Sequence, residues 1–208
     1  MQPMTASRAM PDTDAFHDLA LAIADLYAAE GRPGGDATAR ALRDAAANLP
    51  VRATARPPPH LDQLKRALGL SPHPLAKAIT DALPVIVWQH AGLADGRIVA
   101  EVAVQMLTAE IIGPTGMIFN ATLRAGLFLQ TRGVAYTTRS HAAEETYFPL
   151  TGTARWSLNG TTPKPRPFGQ FIFHPSMAPH ATFTDADPLL ALWRWSGDIG
   201  WDSYEMAG

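Results

Sequence analysis

The spacing of apolar residues divides the chain into two parts. In the first part, apolar side chains recur every three or four positions over residues 16–27, which is typical of one face of a helix. Glycine and proline residues then favour a second helix over residues 36–49 and two shorter helices that begin near residues 60 and 75. The pattern predicts an N-terminal helical region over residues 1–83.

In the second part, apolar and polar positions alternate, as they do in half-buried β-strands. The alternation is clearest over residues 98–106 and 123–129, and Asn159-Gly160 favours a two-residue hairpin turn. Several short strands joined by tight turns are typical of an antiparallel sandwich or barrel. We therefore predict a mainly β fold, with a β-barrel over residues 84–208 on which the helical region packs.

The composition excludes several classes of partner. The 208 residues include 17 Lys and Arg against 19 Asp and Glu, a net charge of −2, which gives no basic surface for nucleic acid or anionic lipid. No apolar stretch reaches the roughly 18 residues that cross a bilayer, and the start of the chain does not resemble a secretory signal. We expect a cytoplasmic protein that acts on a small molecule, without a nucleic acid or membrane partner.

Ionisable side chains crowd the segment HAAEETYFPLTG at residues 141–152. Inward-facing ionisable groups in a sheet must find partners or lose their charge, so this segment either lies on a solvated surface or builds a site. Because the chain has no cysteine, a metal site here would use histidine, carboxylate, tyrosine or water.

The segment and its surroundings resemble the first cupin motif, G-x5-H-x-H-x3-E-x6-G. Gly133, His141, Glu145 and Gly152 match this motif, whereas Arg139 stands where the first histidine is usual. The second cupin motif, G-x5-P-x-G-x2-H-x3-N, is matched at Gly169, Pro175 and His180, and the sequence departs from it at Met177 and Thr184. The presence of both motifs in the right order implies a cupin barrel, a double-stranded β-helix.

Side chains that point into a barrel from neighbouring strands converge. His141, Glu145 and His180 would then form an open set of two imidazoles and one carboxylate, which suits one divalent ion of iron, manganese, zinc or nickel. Tyr147 lies two residues after the carboxylate, on the same face of the strand, and is a candidate fourth ligand. Glu144 faces the other way and is interpreted as solvated. The remaining histidines are interpreted as structural: His17, His60, His73, His90 and His174.

The run YTTRSHAAEETYFPLTG at residues 136–152 resembles, more narrowly, the cupin-type dimethylsulfoniopropionate (DMSP) lyases. This family keeps a histidine, a glutamate and a tyrosine in this register and has a second tyrosine before the histidine. The resemblance implies a carbon–sulfur lyase that cleaves DMSP to dimethyl sulfide and acrylate, with a tyrosine removing the proton α to the carboxylate. By this resemblance, the metal-site residues are His141, Glu145, Tyr147 and His180, and the second active-site tyrosine is Tyr136.

Two assignments of the base remain open. A phenol becomes a usable base where a neighbouring cation stabilises the phenolate. Tyr147 is expected to lie close enough to the metal ion for this stabilisation. If Tyr147 is chiefly a ligand, Tyr136 is the base. Tyr136 has the opposite strand parity to His141, so a β-bulge or loop is needed to bring it to the site.

Binding of a sulfonium carboxylate needs two kinds of contact. A sulfonium has no hydrogen to donate, so aromatic faces hold it best. Arg139 is either an anchor for the carboxylate or a partner in a plain salt bridge. The candidate aromatic residues are Phe128, Trp156, Trp193 and Trp195.

Two other classes of function fit the same residues. A cupin Fe(II) dioxygenase acting on a small organic acid would use the same two histidines and carboxylate, and would differ by its need for oxygen. A non-catalytic cupin that binds a small molecule needs no base, so loss of Tyr147 would alter its affinity alone. The sequence does not indicate an oligomeric state.

Overall fold

The computed structural model describes residues 11–47, 49, 56–91, 98–151 and 153–207. Its helices are α1 (Pro11–Ala28), α2 (Pro33–Ala46), α3 (Leu61–Leu70), α4 (Leu75–Ala82) and a single turn, α5 (Ala100–Ala103). Its strands are β1 (Gln89–His90), β2 (Met106–Gly113), β3 (Ile118–Phe119), β4 (Arg124–Gln130), β5 (Ala135–Ser140), β6 (Ala143–Pro149), β7 (Arg155–Leu158), β8 (Lys164–Pro165), β9 (Ile172–His174), β10 (His180–Phe183), β11 (Leu189–Gly197) and β12 (Glu205–Met206).

The strands form two sheets whose inner faces share one cluster of buried aromatic residues. The larger sheet has the order β1-β2-β4-β11-β6-β9, with β3 added in parallel beside β2, and the smaller has the order β12-β5-β10-β7-β8. All other strand pairs are antiparallel. Non-consecutive strands pair in both sheets, so the chain crosses repeatedly between them and builds a barrel-like sandwich.

The helices cover the outer face of the larger sheet. Buried residues of α1 to α4 form one core with outward-facing residues of β2, β4, β6 and β11. This second layer explains why β4 is buried along its whole length although its sequence alternates: one face meets the helices and the other faces the interior of the barrel. None of the helices in the described ranges is long and apolar enough to cross a membrane.

The prediction of a strand over residues 98–106 is wrong. Residues Ala100–Ala103 form a helical turn, with a hydrogen bond from Val104 N to Ala100 O. Val99 and Val104 belong to opposite faces of the predicted strand and are 63% and 40% exposed, so the alternation does not separate a buried face from an exposed one. Alanine and glutamate favour a helix in this stretch, and β2 begins only at Met106.

The predicted hairpin turn at Asn159-Gly160 is present. Both residues have positive φ angles, 53° and 72°, which a two-residue turn of this type requires. The turn joins β7 to β8, and these strands pair antiparallel. Predicted helices two to four are also present, although α2 begins at Pro33 rather than at residue 36.

One buried ion pair ties the helices to the larger sheet. Glu30, in the turn between α1 and α2, accepts hydrogen bonds from Arg194 of β11 on both carboxylate oxygens, and the Nε–Oε2 distance is 2.6 Å. Thr146 of β6 donates a third hydrogen bond to Glu30, at 2.7 Å. Both charged side chains are fully buried, so each depends on the other for compensation of its charge.

The glycine pair at the start of α2 makes room for this ion pair. A β-carbon at Gly34 would overlap the Arg194 guanidinium, and a β-carbon at Gly35 would lie 2.6 Å from Glu30 Oε2. Carbon and oxygen atoms do not approach so closely without bonding. The sequence Gly34-Gly35 therefore reflects close approach of a helix to a buried charge, and it lies inside α2, ahead of the predicted helix start at residue 36.

We expect Glu30→Ala to lower the free energy of unfolding by about 3–5 kcal/mol, because it leaves the Arg194 guanidinium buried without a carboxylate. Asp25→Ala is the matched control, since it removes the carboxylate from the exposed Asp25–Arg43 pair and should cost less than about 1 kcal/mol. Urea denaturation of both variants measures the difference. Equal losses would mean that the buried pair does not hold the two layers together.

Candidate metal centre

Three residues from different parts of the barrel bring potential metal ligands together. His141 lies between β5 and β6, Glu145 lies on β6, and His180 begins β10. One ligand atom from each residue lies within 4.8 Å of the others. All three side chains are at most 4% exposed, so the group is shielded from bulk solvent.

The hydrogen bonds of the two histidines fix which nitrogen faces the centre. His141 Nδ1 lies 3.0 Å from the carbonyl oxygen of Ala143, and His180 Nδ1 lies 2.8 Å from that of Ala178. A carbonyl oxygen only accepts, so each Nδ1 carries the hydrogen. Burial lowers the pKa of His180 to about 3, so this imidazole is neutral at ordinary pH, with a lone pair on Nε2.

The inner atoms of the cluster are therefore all hydrogen-bond acceptors. His180 Nε2 lies 3.1 Å and His141 Nε2 lies 3.6 Å from Glu145 Oε2, yet neither nitrogen has a hydrogen-bond partner. Lone pairs directed at a carboxylate oxygen repel one another unless a proton or a cation lies between them. Two imidazole nitrogens and a carboxylate oxygen are ligands that divalent zinc, iron and manganese accept, so the residues fit a metal ion.

Two further side chains hold the Glu145 carboxylate in place. Trp195 Nε1 donates a hydrogen bond of 2.7 Å to Oε1, and His174 Nδ1 donates one of 3.2 Å to Oε2. Burial alone would raise the pKa of Glu145, but hydrogen bonds to its charged form, one of them from His174, hold the pKa well below its ordinary value. The group is thus a carboxylate, as a metal ligand must be.

His174 is a site residue that sequence reasoning left among the structural histidines. It lies on β9 directly opposite Glu145 on β6, and its ring stacks on His180 with 4.2 Å between the centroids. His174 lies outside the ligand set and contacts two of its members. Its position immediately before Pro175 of the second motif is the one sequence feature that could have singled it out.

The two candidate tyrosines both reach the interior beside the metal centre. Tyr147 is buried on β6, and its hydroxyl accepts a hydrogen bond of 3.5 Å from Arg139 Nη2. Tyr136 is buried on β5, and its hydroxyl bonds to that of Tyr204. The register between β5 and β10 shifts between His180 and Thr182, which is the bulge that Tyr136 needs to face inward.

Burial raises the pKa of Tyr147 well above its ordinary value, and the negative charge of Glu145 adds to this effect, while Arg139 opposes it. The pKa of Tyr136 is also raised, mainly by burial. Both phenols are therefore protonated in the metal-free protein. A phenolate at position 147 requires more positive charge than Arg139 alone supplies.

Most of the predicted binding residues line a single cavity of about 330 Å³. Trp156 does not: it lies behind Tyr147, with 4.9 Å between the ring centroids, and lines a smaller hollow together with His174. The predicted residues that line the main cavity are Phe128, Tyr136, Arg139, His141, Glu145, Tyr147, Trp193 and Trp195.

The cavity is closed by residues that the sequence did not single out. Tyr204 stacks on His141, with 5.7 Å between the ring centroids, and Trp201 packs against Trp195. Glu110 and Arg124 form a buried ion pair of 2.8 Å in the cavity wall, with the Arg124 guanidinium 5.7 Å from the Trp201 ring. No motif spacing points to these residues, because their contacts depend on how strands pair across the sheets.

Comparisons of the sequence and of the structure with known proteins both find DMSP lyases. The family model of the DMSP lyases matches residues 36–191. The DMSP lyase DddQ of Ruegeria pomeroyi is 38% identical over 89 residues, which are 43% of this chain and 44% of that protein. The matched segment thus spans less than half the length of this curated relative.

Two solved structures of DMSP lyases match over most of the chain. A chain from the crystal structures of the DMSP lyases RdDddP and RnDddQII has a TM-score of 0.65 at 25% identity, covering 94% of this chain and all of that one. The crystal structure of DddQ from Ruegeria pomeroyi has a TM-score of 0.61 at 26% identity, covering 89% of this chain and 93% of that one.

The fold is a cupin barrel preceded by helices, as the sequence motifs predicted. Its interior contains a buried group of two histidines and a glutamate that could hold a metal ion. The chain belongs to the DMSP lyase family. The resemblance drawn from residues 136–152 is confirmed.

We expect His141→Ala and His180→Ala each to lower the content of bound divalent metal at least several-fold without unfolding the barrel, since one of few ligands is lost while other strands keep the scaffold. His90→Ala is the control, because His90 is an exposed histidine on β1. Elemental analysis of gel-filtered protein gives the metal content. Wild-type metal content in both ligand variants would contradict the metal site.

Proposed function

We propose that the protein is a metal-dependent lyase that cleaves DMSP to dimethyl sulfide and acrylate by a tyrosine-assisted β-elimination. The observation that carries this proposal is the placement of Tyr147 beside a cluster of unsatisfied acceptor atoms, within a chain of the DMSP lyase family. Elimination needs a base close to a source of positive charge. Tyr147 would be the base, and a metal ion held by these atoms would supply the charge.

His141, Glu145 and His180 would hold the metal ion, with Tyr147 as a candidate fourth ligand. Zinc, iron or manganese suits this donor set. When bound, such an ion supplies positive charge that acidifies the proton α to the substrate carboxylate and stabilises a phenolate. Trp195 and His174 keep the Glu145 carboxylate oriented, a role that commonly matters for metal affinity.

Tyr147 is the group proposed to take the α-proton. The proton moves to the phenolate oxygen, the electrons of the α-carbon–hydrogen bond form the double bond of acrylate, and the β-carbon–sulfur bond breaks. Dimethyl sulfide leaves with the electrons of that bond, so its sulfur becomes neutral. Arg139 stabilises the anionic form of Tyr147 through its Nη2 contact.

Aromatic rings in the cavity wall are proposed to hold the sulfonium. Phe128, Trp193 and Trp195 line the cavity, and each ring face that meets the cation contributes about 0.5–2 kcal/mol. Trp156 lies outside the cavity wall, so its proposed role changes to supporting the ring of Tyr147. The burial of these side chains keeps bulk water away from the reacting atoms.

We expect metal-loaded protein to release dimethyl sulfide from DMSP without oxygen, because neither zinc nor manganese needs to change oxidation state in a proton abstraction. Anaerobic incubation followed by headspace gas chromatography measures the product. Activity that requires both iron and oxygen would instead indicate the dioxygenase. Binding of DMSP without any product, with every metal tested, would indicate a non-catalytic binding cupin.

We expect Tyr147→Phe to lower turnover about 10²-fold or more while the Michaelis constant changes little, since the ring remains and the proton acceptor is lost. Tyr136→Phe is the matched variant, because it removes the other cavity hydroxyl. Metal content and exchange of the α-hydrogen for deuterium are measured for both. Exchange that persists in metal-replete Tyr147→Phe would contradict its role as base, and loss of metal in this variant would assign Tyr147 as a ligand and Tyr136 as the base.

A further inference from the structure

Arg139 is a buried cation without a carboxylate partner. Its side chain is 1% exposed and lines the main cavity. Among the described residues, no carboxylate oxygen lies within 4.0 Å of its guanidinium nitrogens, the distance that defines an ion pair. Burying a charge without a partner costs free energy. The Arg139 guanidinium therefore lacks the negative group that would offset this cost.

The existing contacts of Arg139 satisfy its hydrogen atoms poorly. The guanidinium donates to the carbonyl oxygens of Tyr136 and His180, to the Tyr147 hydroxyl and to the Thr182 hydroxyl, at 3.4–3.5 Å. Strong N–H···O bonds lie between about 2.7 and 3.2 Å. The ring of Tyr136 lies 3.6 Å beneath the guanidinium carbon and holds the group flat without using its N–H hydrogens.

The other two buried arginines of the described chain differ in this respect. Arg194 binds both oxygens of Glu30, and Arg124 binds Glu110 at 2.8 Å. The fold thus gives each of these two guanidiniums a carboxylate partner, including that of Arg124, which also lines the cavity. Arg139 instead lines the cavity without a carboxylate partner among the described residues.

We propose that Arg139 anchors the carboxylate of the ligand, so that the cavity selects a small carboxylate even before a metal ion is bound. This inference rests on the proposed function and names how the same site recognises its substrate class. A guanidinium presents two parallel N–H groups that match the two oxygens of a carboxylate. No carboxylate of the described protein occupies that position.

The position of Arg139 also sets the direction in which a sulfonium carboxylate enters. Its Nη2 lies 3.5 Å from the Tyr147 hydroxyl, so a carboxylate on the guanidinium brings the adjoining α-carbon next to Tyr147. Like charges repel in a buried site, which directs the sulfonium away from Arg139. The rings of Trp193 and Phe128 in the same cavity wall provide the apolar faces for it.

The test uses chelator-treated protein and measures the affinity for propionate, a carboxylate that lacks the sulfonium, and for its uncharged analogue propionamide. Isothermal titration calorimetry or ligand-detected NMR gives the dissociation constants. We expect the wild type to bind propionate more tightly than propionamide. We expect Arg139→Gln to weaken propionate binding about ten-fold or more, and Arg132→Gln, on an exposed arginine, to leave it unchanged.

A further variant covers the possibility that Arg139→Gln fails to fold, which circular dichroism detects. Arg139→Lys keeps the charge without the paired N–H groups, so we expect an affinity between those of the wild type and Arg139→Gln. Wild-type affinity for propionate in a folded Arg139→Gln variant would overturn the proposal. Equal binding of propionate and propionamide, or displacement of propionate by an equal concentration of inorganic phosphate, would overturn it as well.

This binding assay separates the carboxylate anchor from the lyase activity. Propionate binding that depends on Arg139, without release of dimethyl sulfide from DMSP by metal-loaded protein, supports the anchor and contradicts the lyase. Release of dimethyl sulfide by a protein whose metal-free form does not discriminate propionate from propionamide supports the lyase and contradicts the anchor.

Discussion

The buried ion pair between Glu30 and Arg194 links the helical layer to the strands that carry the site. Arg194 lies between Trp193 and Trp195 on β11, and side chains alternate along a strand. The residue that faces the helices therefore fixes the inward direction of the two tryptophans. Thr146 on β6 also contacts Glu30, and its neighbours in sequence are Glu145 and Tyr147.

The same alternation explains why charge on the outside of the sheet matters for chemistry on the inside. Register places Glu145 beside Trp195, and Tyr147 beside Trp193. A shift of one residue between β6 and β11 would turn the carboxylate and the phenol away from the cavity. The contacts of Glu30 with both strands oppose such a shift, because they join β6 and β11 to one fixed carboxylate.

The interior of the barrel contains a cluster of hydrogen-bond acceptors and a cation, neither of which has a partner of opposite charge among the described residues. Glu145 faces two imidazole lone pairs, and Arg139 faces no carboxylate among the described residues. The first group lacks a cation and the second lacks an anion. A metal ion and a ligand carboxylate would satisfy both requirements in adjacent positions, which accounts for a polar cluster of this kind in a buried site.

Local patterns in the sequence predicted the helical region, strand β4, the Asn159-Gly160 turn and the resemblance to the DMSP lyases, because these depend on neighbours along the chain. The pattern over residues 98–106 was misleading, since Val99 and Val104 are exposed and residues 100–103 form a helical turn. His174 and Tyr204 were missed because their roles arise from pairing across strands and from a late loop. Spacing between residues in one segment carries no record of such contacts.

Strand β12 also determines when the barrel can close during folding. β12 pairs with β5 at Ser140 and Arg139, and Tyr204 just before it bonds to Tyr136. Tyr204 also lines the cavity, so the cavity wall on that side is complete only when β12 has paired with β5. Closure of the barrel around its polar interior therefore depends on contacts between residues that lie up to 68 positions apart in the chain.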